Sequence, residues 1–102
     1  MYFSLSSTEF KRVIKKSKRI YIRDLSFKYI YSAKPGLGLI VSKKYGNATK
    51  RNLFKRRCRY IFKAKVADKN NNIYLVISPI KQCLSWKSIN TSFESFIYEN
   101  FS

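Results

Sequence analysis

The chain of 102 residues contains no histidine, and only Glu9, Asp24, Asp68, Glu94 and Glu99 are acidic. These absences remove the usual parts of a protein nuclease, which needs paired general acid and base groups or a cluster of metal-binding carboxylates. Even Glu94 and Glu99 fall about 140° apart on a helical projection and do not converge. Cysteine is equally sparse. Cys58 and Cys83 stand alone, and without His they form neither a zinc ligand set nor a Cys/His nucleophile, so both are expected to be small buried hydrophobes. No catalytic and no metal-ligating residue can therefore be nominated. No run approaches the roughly eighteen apolar residues of a membrane span, and MYFSLSSTEFKR lacks the apolar centre of a secretion signal, so the expected location is the cytoplasm. With three Gly, two Pro and no internal repeat, there is no linker, and one domain over 1–102 is expected.

Positive charge is what the chain has in excess. Twenty-two Lys and Arg give a formal charge of +17, far beyond the magnitude of about 2 to 8 that solubility asks for. An apolar fraction of 45% with 17% aromatics excludes a disordered polycation, because such a chain can bury a core. A folded protein with this imbalance is expected to bind nucleic acid.

The order of elements follows from local patterns. SSTEFKRVIKKSK opens with a capping box, Ser6 or Ser7 with Glu9, and predicts a helix over Ser7 to Lys16. IYIRDLSFKYIY, Ile20 to Tyr31, reads as one strand with a bulge near Asp24, or as two strands if the stretch from Arg19 to Tyr31 is split. SAKPG supplies a turn, and GLGLIVSKK alternates Leu37, Leu39 and Val41 against Gly38, Ile40 and Ser42, predicting a second strand antiparallel to the first. After the polar turn at Lys69 to Asn72, IYLVIS has the continuous apolar character of a central strand, ended by Pro79. The closing helix, with Ser85 as N-cap, places Trp86, Ile89, Phe93, Phe96, Ile97 and Phe101 on one stripe, expected to be core.

Between these lies NATKRNLFKRRCRYIF, Asn47 to Phe62. Projected at 100° per residue with Phe54 at zero, Cys58, Ile61 and Phe62 fall with it between about 340° and 80°, an apolar stripe able to sit on a sheet. Asn52, Arg56, Arg59 and Lys63 fall between about 140° and 200°, with Lys55 near 100°. Asn47 is the expected N-cap, and Lys43, Lys44, Lys50 and Arg51 gather where free backbone N–H groups already favour phosphate. A membrane-surface helix would need its apolar face free for lipid, whereas here the sheet requires it.

The same stretch has a specific pattern. SKK-x-GNA-x-x-RN-x-x-KR-x-x-R, running from Ser42 to Arg59, resembles the central signature of the bacterial ribonuclease P protein subunit. The resemblance implies an α/β fold in the order α-β-β-β-α-β-α with a left-handed β-α-β crossover. It also implies a protein that assists a catalytic RNA, the holoenzyme being an endonuclease that removes the 5′ leader of precursor tRNA and leaves a 5′-phosphomonoester. The implied RNA-binding residues are Ser42, Lys43, Lys44, Lys50, Arg51, Asn52, Lys55, Arg56, Arg59 and Lys63. Phe10, Ile14 and Lys28 would line a cleft for the single-stranded leader. Ile14 stands where an aromatic is common and Lys28 where a Tyr is found, while Leu53 and Ser17 replace a frequent Arg and Gly. The implied partners are the ribonuclease P RNA, one protein per RNA, and precursor tRNA, with magnesium entering through the RNA and no membrane involved. The alternative is a ribosomal protein of similar fold that binds rRNA structurally.

Overall fold

The computed structural model describes residues 4–81 and 85–101, the last without its side chain. The first helix, α1, spans Ser7–Lys16, as its sequence predicts. Both halves of its capping box form: the Ser6 hydroxyl accepts from the Glu9 backbone N–H at 3.2 Å, and the Glu9 carboxylate accepts from the Ser6 N–H at 2.8 Å.

The stretch that reads as one strand or two is two, as the order α-β-β-β-α-β-α requires. β1 (Ile20–Ile22) and β2 (Leu25–Tyr31) fold back on each other as an antiparallel hairpin with Ile22 opposite Leu25. The reversal is made by Arg23, whose φ of 54° is left-handed, and by Asp24. Asp24 thus marks a turn instead of a bulge. Arg is not a residue whose type announces positive φ, so the reversal leaves little trace in the sequence.

β3 (Gly36–Leu39) and β4 (Ile73–Pro79) complete a four-stranded sheet in the order β1-β2-β4-β3. The GLGL strand does not pair antiparallel with its predecessor, contrary to the expectation from its sequence. β4 lies between them, antiparallel to β2 and parallel to β3. Ser32, just past β2, donates its N–H to Asn72 O at 3.0 Å, so the SAKP segment passes the start of β4 instead of returning along β2. A strand buried on both faces gains most at the centre, and Ile73 to Ile77 are all buried.

The sheet has a helix layer on each side. On one face Ile73, Leu75 and Ile77 meet α2 (Ala48–Lys65) and α3 (Trp86–Phe101) through Phe54, Cys58, Ile61, Phe62, Ile89, Phe93 and Phe96. Phe27 of β2 stacks on Phe96 with ring centroids 4.3 Å apart and meets the edge of Phe93. Each such side chain contributes about 1.5–3 kcal/mol by leaving water. The opposite face carries Tyr74 and Val76 against Val13, with Leu5, Phe10, Ile14 and Ile30 around them. Cys58 is buried as expected, and burial pushes its thiol well above the ordinary range; Cys83 lies outside the described residues. Trp86 departs from expectation, since it is exposed and rests against Tyr60 instead of entering the core.

Candidate nucleic-acid interface

α2 starts where its sequence says. Asn47 is the N-cap, its side-chain oxygen accepting from the Lys50 N–H at 2.9 Å. Gly46 precedes it with φ 153° and ψ −169°, a conformation that essentially excludes side chains. Before it, Lys43–Tyr45 forms a 3-10 turn after Ser42, and the buried Tyr45 ring packs on Phe54 at 5.1 Å. That anchor, unmarked in the sequence pattern, holds Ser42, Lys43 and Lys44 on the surface at the helix entrance.

Along α2 the predicted separation of faces is observed. Phe54, Cys58, Ile61 and Phe62 are buried, whereas Lys50, Asn52, Arg56, Arg59 and Lys63 are exposed and Arg51 and Lys55 are half-buried. Because the apolar stripe is fixed by the sheet, the cations are held at one-turn spacing and lose little freedom on meeting phosphate. The buried Nε of Arg51 has no hydrogen-bond partner among the described residues. Lys63 differs: Asp68 lies 3.1 Å away, so this residue already has an acidic neighbour at the helix end.

On the other face, cross-strand register places Lys28, Val76 and Gly38 side by side under α1. Phe10 rests directly over Gly38, where a Cβ would lie 2.8 Å from its ring. Ile14 joins the same apolar cluster, and its backbone carbonyl accepts from Lys28 Nζ at 3.2 Å. Phe10, Ile14 and Lys28 therefore share one side of the sheet, although Lys28 is engaged with the end of α1. Ser17 also ties that end down, its hydroxyl accepting from the Tyr29 N–H at 3.0 Å.

The two groups of predicted residues also meet. A concavity of about 240 Å³ is lined by Leu5, Phe10, Gly38, Lys55 and Arg59, so the aromatic of α1 opens beside two cations of α2. A larger one, about 1140 Å³, lies between β1 and α3 and includes Glu94 and Glu99 in its walls. Like charge disfavours phosphate there. Glu9 is turned away from the cation face: its carboxylate is held below the ordinary range by the Ser6 backbone N–H and by the Tyr74 hydroxyl, which donates at 2.9 Å. Among the described residues no three metal-ligating side chains cluster, and no helix is long and apolar enough to cross a membrane.

A sheet-mounted helix with one cationic face, next to an aromatic concavity, defines a small α/β RNA-binding protein. The ribonuclease P family model matches residues 5–99. The ribonuclease P protein component of Finegoldia magna is 34% identical over 88 residues, covering 82% of this chain and 77% of that protein. The chain belongs to the ribonuclease P protein family, whose members are parts of a tRNA-processing ribonucleoprotein with an RNA partner. Among solved structures, a Staphylococcus aureus RNase P protein mutant superposes with a TM-score of 0.81 at 24% identity, over 96% of this chain and 87% of that one. The Thermotoga maritima RNase P protein gives 0.78 at 19% identity, over 97% and 98%. These likenesses support the fold and the order α-β-β-β-α-β-α. The ribosomal alternative is not favoured.

Proposed function

We propose that this protein serves the ribonuclease P RNA as its single protein partner, in the cytoplasm, and that the RNA performs the cleavage. Ser42, Lys43, Lys44, Lys50, Arg51, Asn52, Lys55, Arg56, Arg59 and Lys63 bind the RNA subunit, and the 5′ leader of precursor tRNA runs along the cleft at Phe10, Ile14 and Lys28. The observation that carries this reading is the junction of Phe10 with Lys55 and Arg59 in one concavity. A single strand lying there would stack a base and neutralise its phosphates at once.

The contribution to catalysis is electrostatic and positional. Cations fixed beside crowded phosphates strengthen substrate binding and lower the repulsion that the RNA's magnesium ions must otherwise offset. Phosphate contacts position without reading sequence, which suits a subunit that accepts leaders of many sequences. The product, a 5′-phosphomonoester on mature tRNA, is then set by the RNA subunit's chemistry.

Reconstitution tests the reading. Precursor tRNA is incubated with the protein, the RNA subunit, or both, at low magnesium. Cleavage is expected only with both; cleavage by repurified protein without RNA, or no stimulation by the protein, refutes it.

A further inference from the structure

Tyr60 lies at about 240° on the α2 projection, between the cation face and Arg57. Its side chain is 65% exposed, on a helix whose other aromatics are buried. Trp86, in the first turn of α3, is 42% exposed, and the two rings meet with centroids 5.5 Å apart and planes inclined at 54°. Neither ring contributes to the core clusters. The inclination is neither a parallel stack nor a perpendicular edge contact, so the pair forms an open wedge with ring surface facing water.

Cations neighbour the two rings along their helices. Arg56 and Arg57 precede Tyr60 by one helical turn, Lys63 follows it by three residues, and Lys87 follows Trp86. Exposed aromatic faces interleaved with Lys and Arg are what a sequence-tolerant single-stranded nucleic-acid site requires, one part to stack the base and the other to meet its phosphates. The rings already restrain each other, so less side-chain freedom is lost on binding.

We infer that Tyr60 and Trp86 form a stacking platform for an unpaired nucleobase of the RNA subunit, distinct from the cleft at Phe10. The RNA subunit is the source because of the order of residues around α2. Lys55 and Arg59, near 100° and 140°, border the Phe10 concavity. Arg56 and then Tyr60, near 200° and 240°, lie progressively further from it. A leader held at Phe10 would have to cross the whole cation face to reach the wedge. The inference rests on the ribonuclease P reading and adds to it a base-stacking contact that the basic residues alone do not supply.

Trp86 is the only tryptophan, so its fluorescence reports on this site directly. Titration with the RNA subunit is expected to quench it in step with binding, and a short unpaired RNA is expected to quench it more than a fully paired hairpin of equal charge. Tyr60→Ala should weaken binding of the RNA subunit about fivefold or more, with the salt slope unchanged, since stacking releases no counterions. Tyr60→Phe should retain affinity. Tyr60→Leu, which keeps apolar contact with Trp86 but cannot stack a base, should behave like Tyr60→Ala; circular dichroism confirms that each variant is folded. Unchanged Trp86 emission at saturation, or wild-type affinity of folded Tyr60→Leu, overturns the platform. Quenching by precursor tRNA alone that grows with leader length overturns the assignment to the RNA subunit. If either occurs while Arg56→Ala/Arg59→Ala still weakens RNA binding, the broader reading stands; failure of the wild-type protein to bind the RNA subunit removes both.

Discussion

Gly38→Ala tests whether the floor of the Phe10 cleft is built from backbone for a reason. A Cβ at this position would lie 2.8 Å and 2.9 Å from two Phe10 ring carbons and 3.2 Å from a Leu5 methyl, where ordinary contact begins near 3.4 Å. The ring must retreat by about 0.6 Å, and α1 is pinned at its start by the Ser6–Glu9 box and at its end by Ser17 and Lys28. Overpacking of this kind costs about 1–3 kcal/mol. About 0.5–1 kcal/mol returns because Ala is less flexible than Gly in a strand. The expected net loss lies between about 0 and 2.5 kcal/mol, centred on about 1 kcal/mol, and Tm falls about 4–8 °C for each kcal/mol in a domain of this size. The assay pairs thermal unfolding with binding of precursor tRNAs of increasing leader length to the reconstituted holoenzyme. Tm should drop, and the gain in affinity from a longer leader should shrink, because the displaced ring occupies the cleft. Adding Phe10→Leu should recover part of the stability, with a coupling of about 0.5 kcal/mol or more. Wild-type Tm with unchanged leader dependence would refute the account of Gly38 as a close-approach position under the cleft.

Arg56→Ala/Arg59→Ala should leave the fold intact and reduce the slope of log affinity for the RNA subunit against log salt by about 0.7–0.9 for each phosphate no longer neutralised, read by binding titrations at several salt concentrations. Asn47→Ala removes the acceptor for the Lys50 N–H and should cost about 1 kcal/mol by urea denaturation, with weaker RNA binding as the first turn frays. Glu9, whose carboxyl is held below the ordinary range in the folded protein, contributes stability that is complete above the ordinary carboxylate range and is lost as pH falls through the lowered folded value. Glu9→Gln preserves the capping geometry but not the titration, so acid unfolding curves should lose this component. Native Cys58 should resist thiol alkylation until the protein unfolds, as its burial and raised pKa require.

Much of this architecture was legible because it is local. The limits of α1, the Asn47 cap and the opposed faces of α2 depend on residues within a few turns of each other, and the sequence states them through capping chemistry and period. The pairing of β3 was not legible, because its partner arrives more than thirty residues later and alternation says nothing about which strand lies alongside. The hairpin at Arg23 was hidden by a residue that rarely takes positive φ. In α3 the stripe held for Ile89, Phe93 and Phe96 but failed at Trp86, since a helix end can project past the core that its period implies. The cation face could be projected from the sequence, whereas its junction with Phe10 required the sheet that brings α1 and α2 to the same edge of β3.

The position of β4 also bears on how the protein is made. It pairs with both β2 and β3, and among the described strands it follows both of them in the chain. Until Ile73 to Pro79 have emerged, β3 has no strand to lie against, and the apolar side of the basic helix lacks most of its support. A nascent chain in that interval would show RNA its charges without their final alignment, together with uncovered Phe and Ile side chains. Late completion of the sheet would therefore act as a timing device: selective recognition begins only after β4 has emerged, and before it any polyanion in reach is a competitor or a temporary chaperone.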